Sequence, residues 1–333
     1  MRVCALRTIL GLLLLFSSLV SAQETQTCEA GERLFEHEFL EGEPVCIPEN
    51  PQRVVALEMA GAELTLFTDK VLVGTNSWVK QELPVLMPEL ADEFANVEIY
   101  GYPADLEAVL LAKPDIILAA PGDIDVAAAS EIAPVVVAKG IVGDDWEAAF
   151  SIWSEVLNIP DVYAALNENY QARIAELQDE LGAARETTEV SAVSVSTYGI
   201  WLWYEDSAPG NVLEDVGLAR PPSQAYKSAA APEVEISDER LDLVDGDDIF
   251  YFSYASDDPE VLGKENAVIE GLEENPLWQG LGGVKSGHAY NVGGHWWRAQ
   301  TYLLANRVID DLFEYLVGAP SETPALSLAG VSQ

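Results

Sequence analysis

Basic side chains are scarce in this sequence: 17 lysines and arginines stand against 56 acidic residues, and the formal net charge is −39. A chain with so little positive charge lacks the basic field that attracts nucleic acid or an anionic membrane surface. We therefore expect no nucleic-acid partner. The acidic excess is typical of a solvated surface and favours solubility.

Histidine is rarer still, with three occurrences at His37, His288 and His295. The sequence contains no HExxH zinc motif, no GxSxG nucleophile elbow, no Walker loop and no GxGxxG dinucleotide motif. Acidic residues are so frequent that a pair of carboxylates carries no catalytic information. The sequence therefore predicts a protein that is not an enzyme, and a secreted α/β hydrolase is the least favoured alternative.

The N-terminus has the pattern of a secretory signal peptide. Arg2 and Arg7 precede an apolar run over residues 9–19, and Val20-Ser21-Ala22 is a small-residue cleavage site. The apolar run is short for a membrane span, which needs about 20 residues. We assign residues 1–22 to a signal peptide and expect an exported protein, periplasmic or at the cell surface.

Two cysteines, Cys28 and Cys46, remain after the cleavage site. An even number of cysteines in an exported chain indicates a disulfide, and two free thiols are the alternative. The sequence predicts a disulfide-bearing N-terminal segment over residues 23–50.

The rest of the chain alternates short apolar runs with helical patterns in two halves. Continuous Val, Ile and Leu runs between helices indicate parallel strands that are covered on both faces. The predicted strands are 53–57, 71–75, 114–120 and 133–139 in a lobe over 51–158, and 190–197, 248–254 and 288–292 in a lobe over 188–318. The fold class is α/β.

A single long helix separates the halves. Leu166, Tyr170, Ile174, Leu177 and Leu181 form one stripe with a spacing of 3.6 residues. This pattern predicts a linking helix over 159–187. The small and polar residues of 319–333 predict a disordered tail.

The second half is dense in aromatic residues. Trp201, Trp203 and Tyr204 lie close together, and Trp296, Trp297 and Arg298 follow a glycine pair before the last helix. If residues 201–203 are extended, both tryptophans point to one face. Ligands of open α/β sheets bind beyond the carboxyl ends of the strands, between aromatic walls with a few polar groups.

Five segments together resemble one family, the periplasmic binding proteins that serve ABC transporters in iron–siderophore uptake. These segments are PENPQRVVALEMAGAELTLFTDKVLVGT, ADLEAVLLAKPDIILAA, NVLEDVGLARP, ISDERLDLVDGDDIFYF and NPLWQGLGGVKSGHAYNV. They occur in the family's order, and the resemblance runs from about Pro48 to Leu316, which is nearly the whole mature chain. The segment that carries Cys28 and Cys46 is an addition to the family pattern.

The resemblance implies two Rossmann-like lobes with parallel sheets, joined by one long backbone helix, and a ligand in the cleft between them. It implies a monomer that captures a ferric siderophore and delivers it to an inner-membrane permease, with iron bound only through the siderophore and no other cofactor. It also implies one docking glutamate per lobe, and the matching positions are Glu107 and Glu239.

The expected ligand-binding residues lie in loops near predicted strand ends. We favour Trp296 over Trp297 as the tryptophan that faces the ligand, with Arg298 pairing to the oxygens of an anionic chelate. The facing wall is expected to contain Trp201, Trp203 and Tyr204, with Arg220 as a second cation and with Trp78 and Tyr102 from the first lobe. A neutral hydroxamate chelate would depend more on the tryptophans. Cobalamin or haem is the alternative ligand, and His295 or Tyr102 is the candidate axial ligand for haem.

Overall fold

The structure is a computed structural model that describes residues 27–139, 146–228, 231–256 and 258–327. The predicted signal peptide at 1–22 lies outside these residues. Among the helices that the structure describes, none combines the length and the apolar character required of a membrane-spanning segment.

The first element is an antiparallel hairpin of two short strands, β1 (Glu32–Phe35) and β2 (Val45–Pro48). A disulfide joins Cys28 to Cys46 with a Cα–Cα distance of 5.5 Å, which confirms the predicted pairing. Leu40 bridges to Ala138, so that the segment extends the edge of the first lobe. The N-terminal segment therefore lies against the outer edge of the first-lobe sheet, beside residues 135–138.

The first lobe has a five-stranded sheet in the order β5-β4-β3-β6-β7, in which all pairs are parallel. Its strands are β3 (Arg53–Ala56), β4 (Val71–Asn76), β5 (Glu98–Tyr100), β6 (Ile116–Ala119) and β7 (Val135–Val137). Its helices are α1 (Met59–Leu66), α2 (Ser77–Leu86), α3 (Ala91–Phe94), α4 (Leu106–Ala112), α5 (Val126–Ala129) and α6 (Trp146–Leu157). All four predicted strands are present, and β5 is the strand that the sequence did not reveal.

The linking helix α7 runs over Pro160–Leu181 and is followed by a 3₁₀ turn over Gly182–Glu186. Its 22 residues span about 33 Å at 1.5 Å per residue. Leu166, Tyr170, Ile174 and Leu177 are buried, as the apolar stripe predicts. The prediction of a single long helix between the lobes is confirmed.

The second lobe also has five strands, in the order β10-β9-β8-β11-β12. They are β8 (Val190–Ser196), β9 (Gly199–Trp203), β10 (Glu233–Ile236), β11 (Asp248–Phe252) and β12 (Ala289–Val292). The helices are α8 (Ala208–Val216), α9 (Pro259–Glu273), α10 (Gly282–Ser286) and α11 (Tyr302–Leu312), and α11 continues into a π-helical turn over Phe313–Val317.

The prediction of parallel sheets is wrong for part of the second lobe, because its sheet is mixed. β8, β11 and β12 are parallel, whereas β9 pairs antiparallel with both β8 and β10. Only Thr197 and Tyr198 separate β8 from β9. A connection this short can join only antiparallel neighbours, since a parallel pair needs a crossover of a dozen or more residues.

One apolar cluster connects the lobes. It includes Val54 and Leu64 from the first lobe, Phe250 and Val308 from the second, and Tyr170 of α7. Buried polar contacts reinforce it: Arg173 of α7 donates to the carbonyl oxygen of Asn306 over 3.1 Å. The two sheets therefore share a core through α1, α6, α7 and α11.

The expectation of a disordered tail is wrong for residues 319–327. Glu176 of α7 accepts the N–H of Glu322 at 2.6 Å and of Thr323 at 3.1 Å, and the Ser321 hydroxyl donates to the same carboxylate at 2.9 Å. Asn169, two turns earlier, accepts the N–H of Leu326 at 3.1 Å. Polar composition suggested disorder, but these polar groups are partners for the exposed side of α7. Residues 328–333 lie outside the described ranges.

Glu63 of α1 makes a buried contact between the lobes. Its side chain is fully buried, and Oε1 accepts the N–H of Leu303 in the first turn of α11 at 3.1 Å. Burial raises the pKa of Glu63 to about 8, against hydrogen bonds from Thr301 and Leu303 that lower it. The folded protein therefore holds the Glu63 proton more tightly than the unfolded chain, whose glutamates titrate near 4.5.

Because the folded state binds more protons in this range, Glu63 makes stability fall as the pH rises from about 4.5 to about 8. We expect Glu63→Gln to be more stable than the wild type at pH 8 by at least about 1 kcal/mol, since one pKa unit corresponds to about 1.4 kcal/mol. Urea unfolding at several pH values measures this difference. Glu93→Gln, at an exposed position of the same lobe, is the control. Parallel pH curves for wild type and Glu63→Gln would contradict the prediction.

Candidate functional site

An aromatic pocket lies on the β8–β9 hairpin of the second lobe. Its volume is about 130 Å³, and it is lined by Tyr198, Trp201, Trp203, Glu233 and Trp297. A wider groove of about 760 Å³ lies near Arg53 and Val71, at the amino ends of the first-lobe strands. We assign function to the aromatic pocket, because it adjoins the contact between the lobes.

Strand alternation creates the wall of this pocket. Ile200 and Leu202 of β9 pack into the core with Val193 and Val195. Trp201 and Trp203 therefore point to the opposite face, and both line the pocket. The prediction that the two tryptophans share a face is confirmed.

Trp296 lies in the core, and the expectation that it faces the ligand is wrong. Its side chain is fully buried, with its ring stacked 4.7 Å from Phe250 and 6.0 Å from Phe252 between centroids. Its indole Nε1 donates to Asp311 Oδ2 at 2.7 Å. The apolar ring and the indole N–H of Trp296 are therefore both occupied by contacts within the protein.

Trp297 takes the position that was expected of Trp296. Both residues lie on the 3₁₀ turn Gly294–Arg298, in which consecutive side chains point about 120° apart. One inward tryptophan therefore places the next one outside the core. Trp297 is partly exposed, and its ring meets Trp203 edge-on at 5.4 Å and Tyr254 at 6.0 Å.

Arg298 forms an ion pair across the lobes with Glu82 of α2. Its Nε donates to Oε2 at 2.5 Å and its Nη2 to Oε1 at 2.9 Å, and Tyr254 donates its hydroxyl to Oε1 at 2.9 Å. The guanidinium also lies 5.4 Å from the ring centroid of Trp78. Burial and then Glu82 raise the pKa of Tyr254 to about 12. Two expected site residues, Trp78 and Arg298, therefore lie together. Tyr254, which bonds to Glu82, also contacts Trp297, and Trp297 lines the aromatic pocket.

Arg220 is not a cation of this pocket, which corrects a prediction. It is buried near the amino end of β8, where Nη2 donates to the Trp203 carbonyl at 2.7 Å and to Gln224 Oε1 at 2.6 Å. Gln224 in turn donates from Nε2 to the Ser191 hydroxyl and accepts the N–H of Ala192 at Oε1. Burial lowers the pKa of Arg220 to about 10. Arg220 also lines a separate groove, together with Glu205 and Glu214.

Tyr204 also lies away from the pocket. It continues the alternation of Ile200 and Leu202, lines a groove together with Leu202, and packs edge-on against Tyr226 at 5.3 Å. Tyr102 is 64% exposed in the loop that follows β5, with its hydroxyl near Gly122. Tyr102 therefore lies in the loops at the carboxyl ends of the first-lobe strands, and the aromatic pocket lies on the other lobe.

The candidate haem ligand His295 has a protein partner. Its Nε2 lies 2.8 Å from Asp311 Oδ2, and its side chain is 14% exposed. No group of three or more His, Cys, Asp or Glu side chains suited to a metal ion occurs among the residues that the structure describes. Both docking candidates, Glu107 and Glu239, are exposed in the first turn of a helical segment, in α4 and in the 3₁₀ helix Asp238–Val244.

Sequence reasoning missed four residues of the site, Glu82, Tyr198, Glu233 and Tyr254. The two tyrosines belong to the aromatic enrichment of the second half, and this is the signal that pointed toward them. Nothing distinguishes Glu82 and Glu233 among the 56 acidic residues of the sequence.

The chain was compared with known proteins. It is 28% identical over 282 residues to the probable siderophore-binding lipoprotein YfiY of Bacillus subtilis (strain 168), covering 81% of this chain and 84% of that protein. Two solved structures share the fold. FhuD2 of Staphylococcus aureus with bound ferrioxamine B has a TM-score of 0.64 at 23% identity, covering 80% of this chain and 99% of FhuD2. The triscatecholate siderophore-binding protein FeuA of Bacillus subtilis, complexed with ferri-bacillibactin, has a TM-score of 0.68 at 16% identity, covering 86% of this chain and 98% of FeuA.

A family model described as periplasmic binding protein matches residues 68–294, which include most of both lobes and all of α7. The match confirms the resemblance seen in the sequence, and the family is one of binding proteins. The chain belongs to the periplasmic binding protein family.

Proposed function

We propose that this protein is the substrate-binding component of an ABC importer and that it captures a ferric siderophore between its lobes. The observation that carries the proposal is the wall of Trp201, Trp203 and Trp297 beside the interlobe ion pair of Arg298 and Glu82. Aromatic walls with a few placed polar groups suit a large chelate with apolar arms. The names of YfiY and FeuA and the ferrioxamine B bound to FhuD2 support the same ligand class.

In this proposal the protein performs no catalysis and has no cofactor of its own. The siderophore supplies all the ligands of the iron, and the protein holds the outside of the chelate. The mature chain is exported to the periplasm or the cell surface and acts as a monomer. The relative YfiY, named as a lipoprotein, supports a location outside the cytoplasm.

Native mass spectrometry tests the ligand class. The mature protein is mixed with a panel of ferric chelates, cobalamin and haem, and we expect a 1:1 complex with at least one ferric chelate. The chelate recovered from the complex should be unchanged, because the protein only binds it. Exclusive binding of cobalamin or haem, or chemical conversion of the chelate, would contradict the proposal.

Docking to the permease is expected to depend on Glu107 and Glu239. Charge reversal at both should lower uptake at least tenfold in cells with the cognate permease, because each introduced cation would repel the permease arginines that the family resemblance implies as docking partners. Chelate affinity should stay within twofold, since both residues are exposed helix-start positions outside the aromatic pocket.

The control for this pair reverses Glu93 and Glu274, which are exposed acids, one in each lobe. It makes the same change in net charge and should leave uptake intact. A carboxylate at a helix start also stabilises the helix by up to about 1 kcal/mol, so thermal unfolding is measured for both double variants. Normal uptake by the Glu107 and Glu239 double variant would refute the docking assignment.

A further inference from the structure

The fold alone does not determine the charge of the ligand. The FhuD2 structure contains ferrioxamine B, a hydroxamate chelate, and the FeuA structure contains ferri-bacillibactin, a triscatecholate chelate. Both proteins share this fold. Three hydroxamates carry three negative charges and balance Fe³⁺, so that their chelate is neutral apart from its appendages. Three catecholates carry six and leave a net charge of −3. The two classes therefore need different electrostatic surroundings.

The charge of Arg298 is already balanced within the protein. Both carboxylate oxygens of Glu82 accept from its guanidinium, and the Tyr254 hydroxyl donates a third hydrogen bond to the carboxylate, at Oε1. The Glu82 side chain is only 5% exposed, against 31% for Arg298. The pair contributes no net charge toward a ligand.

The aromatic pocket beside this ion pair adds no positive charge. Among the residues that the structure describes, its lining has four aromatic side chains, one carboxylate from Glu233, and no lysine or arginine. Glu233 lies directly opposite Trp203 across the β9–β10 pair, and Glu235 lies opposite Trp201. The negative faces of aromatic rings attract cations. The pocket is therefore neutral to negative.

Glu82 uses two of the five N–H donors of Arg298 and offsets its charge, so an anionic chelate gains the full charge of Arg298 only by displacing Glu82. This exchange leaves the Glu82 carboxylate buried without its counter-ion, and an unpaired buried charge is strongly unfavourable. A neutral or cationic chelate leaves the ion pair intact and gains the aromatic contacts. The balance therefore disfavours the anionic class.

We propose that the cleft selects ferric chelates without net negative charge, of the hydroxamate type, and that Glu82 sets this preference by occupying Arg298. The inference rests on the proposed function, because it specifies which siderophores the same site accepts. Glu82 acts as a specificity residue through its ion pair with Arg298.

Wild-type protein tests the preference first. Three probes are titrated by isothermal calorimetry: ferrioxamine B, the same chelate with its amine acetylated, and ferri-bacillibactin. The first two share one iron centre and differ in one positive charge. We expect ferrioxamine B to bind at least as tightly as its acetylated form, and ferri-bacillibactin to bind at least 100-fold more weakly than either.

Glu82→Gln then tests the role of the carboxylate. The amide is nearly isosteric but cannot neutralise Arg298, so affinity for ferri-bacillibactin should rise at least tenfold. Affinity for the acetylated chelate should change less than threefold. Glu89→Gln is the matched control, because Glu89 also pairs with an arginine of the other lobe, Arg307 at 2.9 Å, but its side chain is 54% exposed. The control should leave all three affinities unchanged.

The outcomes separate the two proposals. If no ferric chelate binds the wild type, the proposed function fails. If ferri-bacillibactin binds the wild type as tightly as the hydroxamates, or if Glu82→Gln and Glu89→Gln have the same effect, the charge preference is refuted and the function stands. Thermal unfolding verifies that Glu82→Gln is folded, and should it not fold, the wild-type comparison of the three chelates decides alone.

Discussion

Replacing Trp296 by alanine is expected to lower the free energy of unfolding by about 3–5 kcal/mol, the usual cost of removing a large buried aromatic side chain. The ring is fully buried against Phe250 and Phe252, and its loss leaves a cavity beneath α11. Asp311 also loses the indole N–H that it accepts. Urea unfolding monitored by circular dichroism measures the change.

The neighbouring residue provides the control for this prediction. Trp297→Ala removes the same side chain at a partly exposed position, and it should cost less than half as much stability. Equal losses in the two variants would mean that both rings belong to the core, and would contradict the division of roles between them.

Replacing Trp297 by alanine is expected to weaken binding of the ferric chelate at least tenfold, which corresponds to about 1.4 kcal/mol. Its ring lines the pocket and stands edge-on to Trp203, so its removal opens the aromatic wall toward Tyr254. Isothermal calorimetry with the best-bound chelate measures the affinity. Circular dichroism shows whether the variant remains folded.

Tyr204→Ala is the matched control for ligand binding. Tyr204 also belongs to the aromatic run after β8, but it packs on Tyr226 on the other side of the chain from the pocket. We expect its affinity to stay within twofold of wild type. If Tyr204→Ala loses as much affinity as Trp297→Ala, the ligand occupies a different surface.

The sequence predicted the fold where burial leaves a continuous pattern. β6 and β11 are buried on both faces and appear as unbroken apolar runs, and α7 shows a regular stripe. β5 went unrecognised because it has only three residues, two of them exposed. The antiparallel β9 was missed as well, since its tryptophans indicated a ligand wall more directly than a strand.

The site was harder to predict, because its geometry depends on contacts that are remote in the chain. The orientation of the 3₁₀ turn relative to Phe250 decides whether Trp296 or Trp297 enters the core. The local sequence does not reveal this orientation. The partner of Arg298 is 216 residues away in the chain. Arg220 was predicted as a second cation of the cleft, yet its loop returns to the start of β8.

The core that the two lobes share limits how this protein can be redesigned. Helices α1, α6, α7 and α11 contribute side chains to one apolar cluster, so a chimaera that exchanges a whole lobe with a relative would join two surfaces that were not matched to each other. The smaller units that carry the aromatic wall are the β8–β9 hairpin and the turn Gly294–Arg298. Grafting these two segments would change the ligand surface and leave the shared core of the lobes intact. The grafted turn must again place an aromatic ring in the core at the position of Trp296.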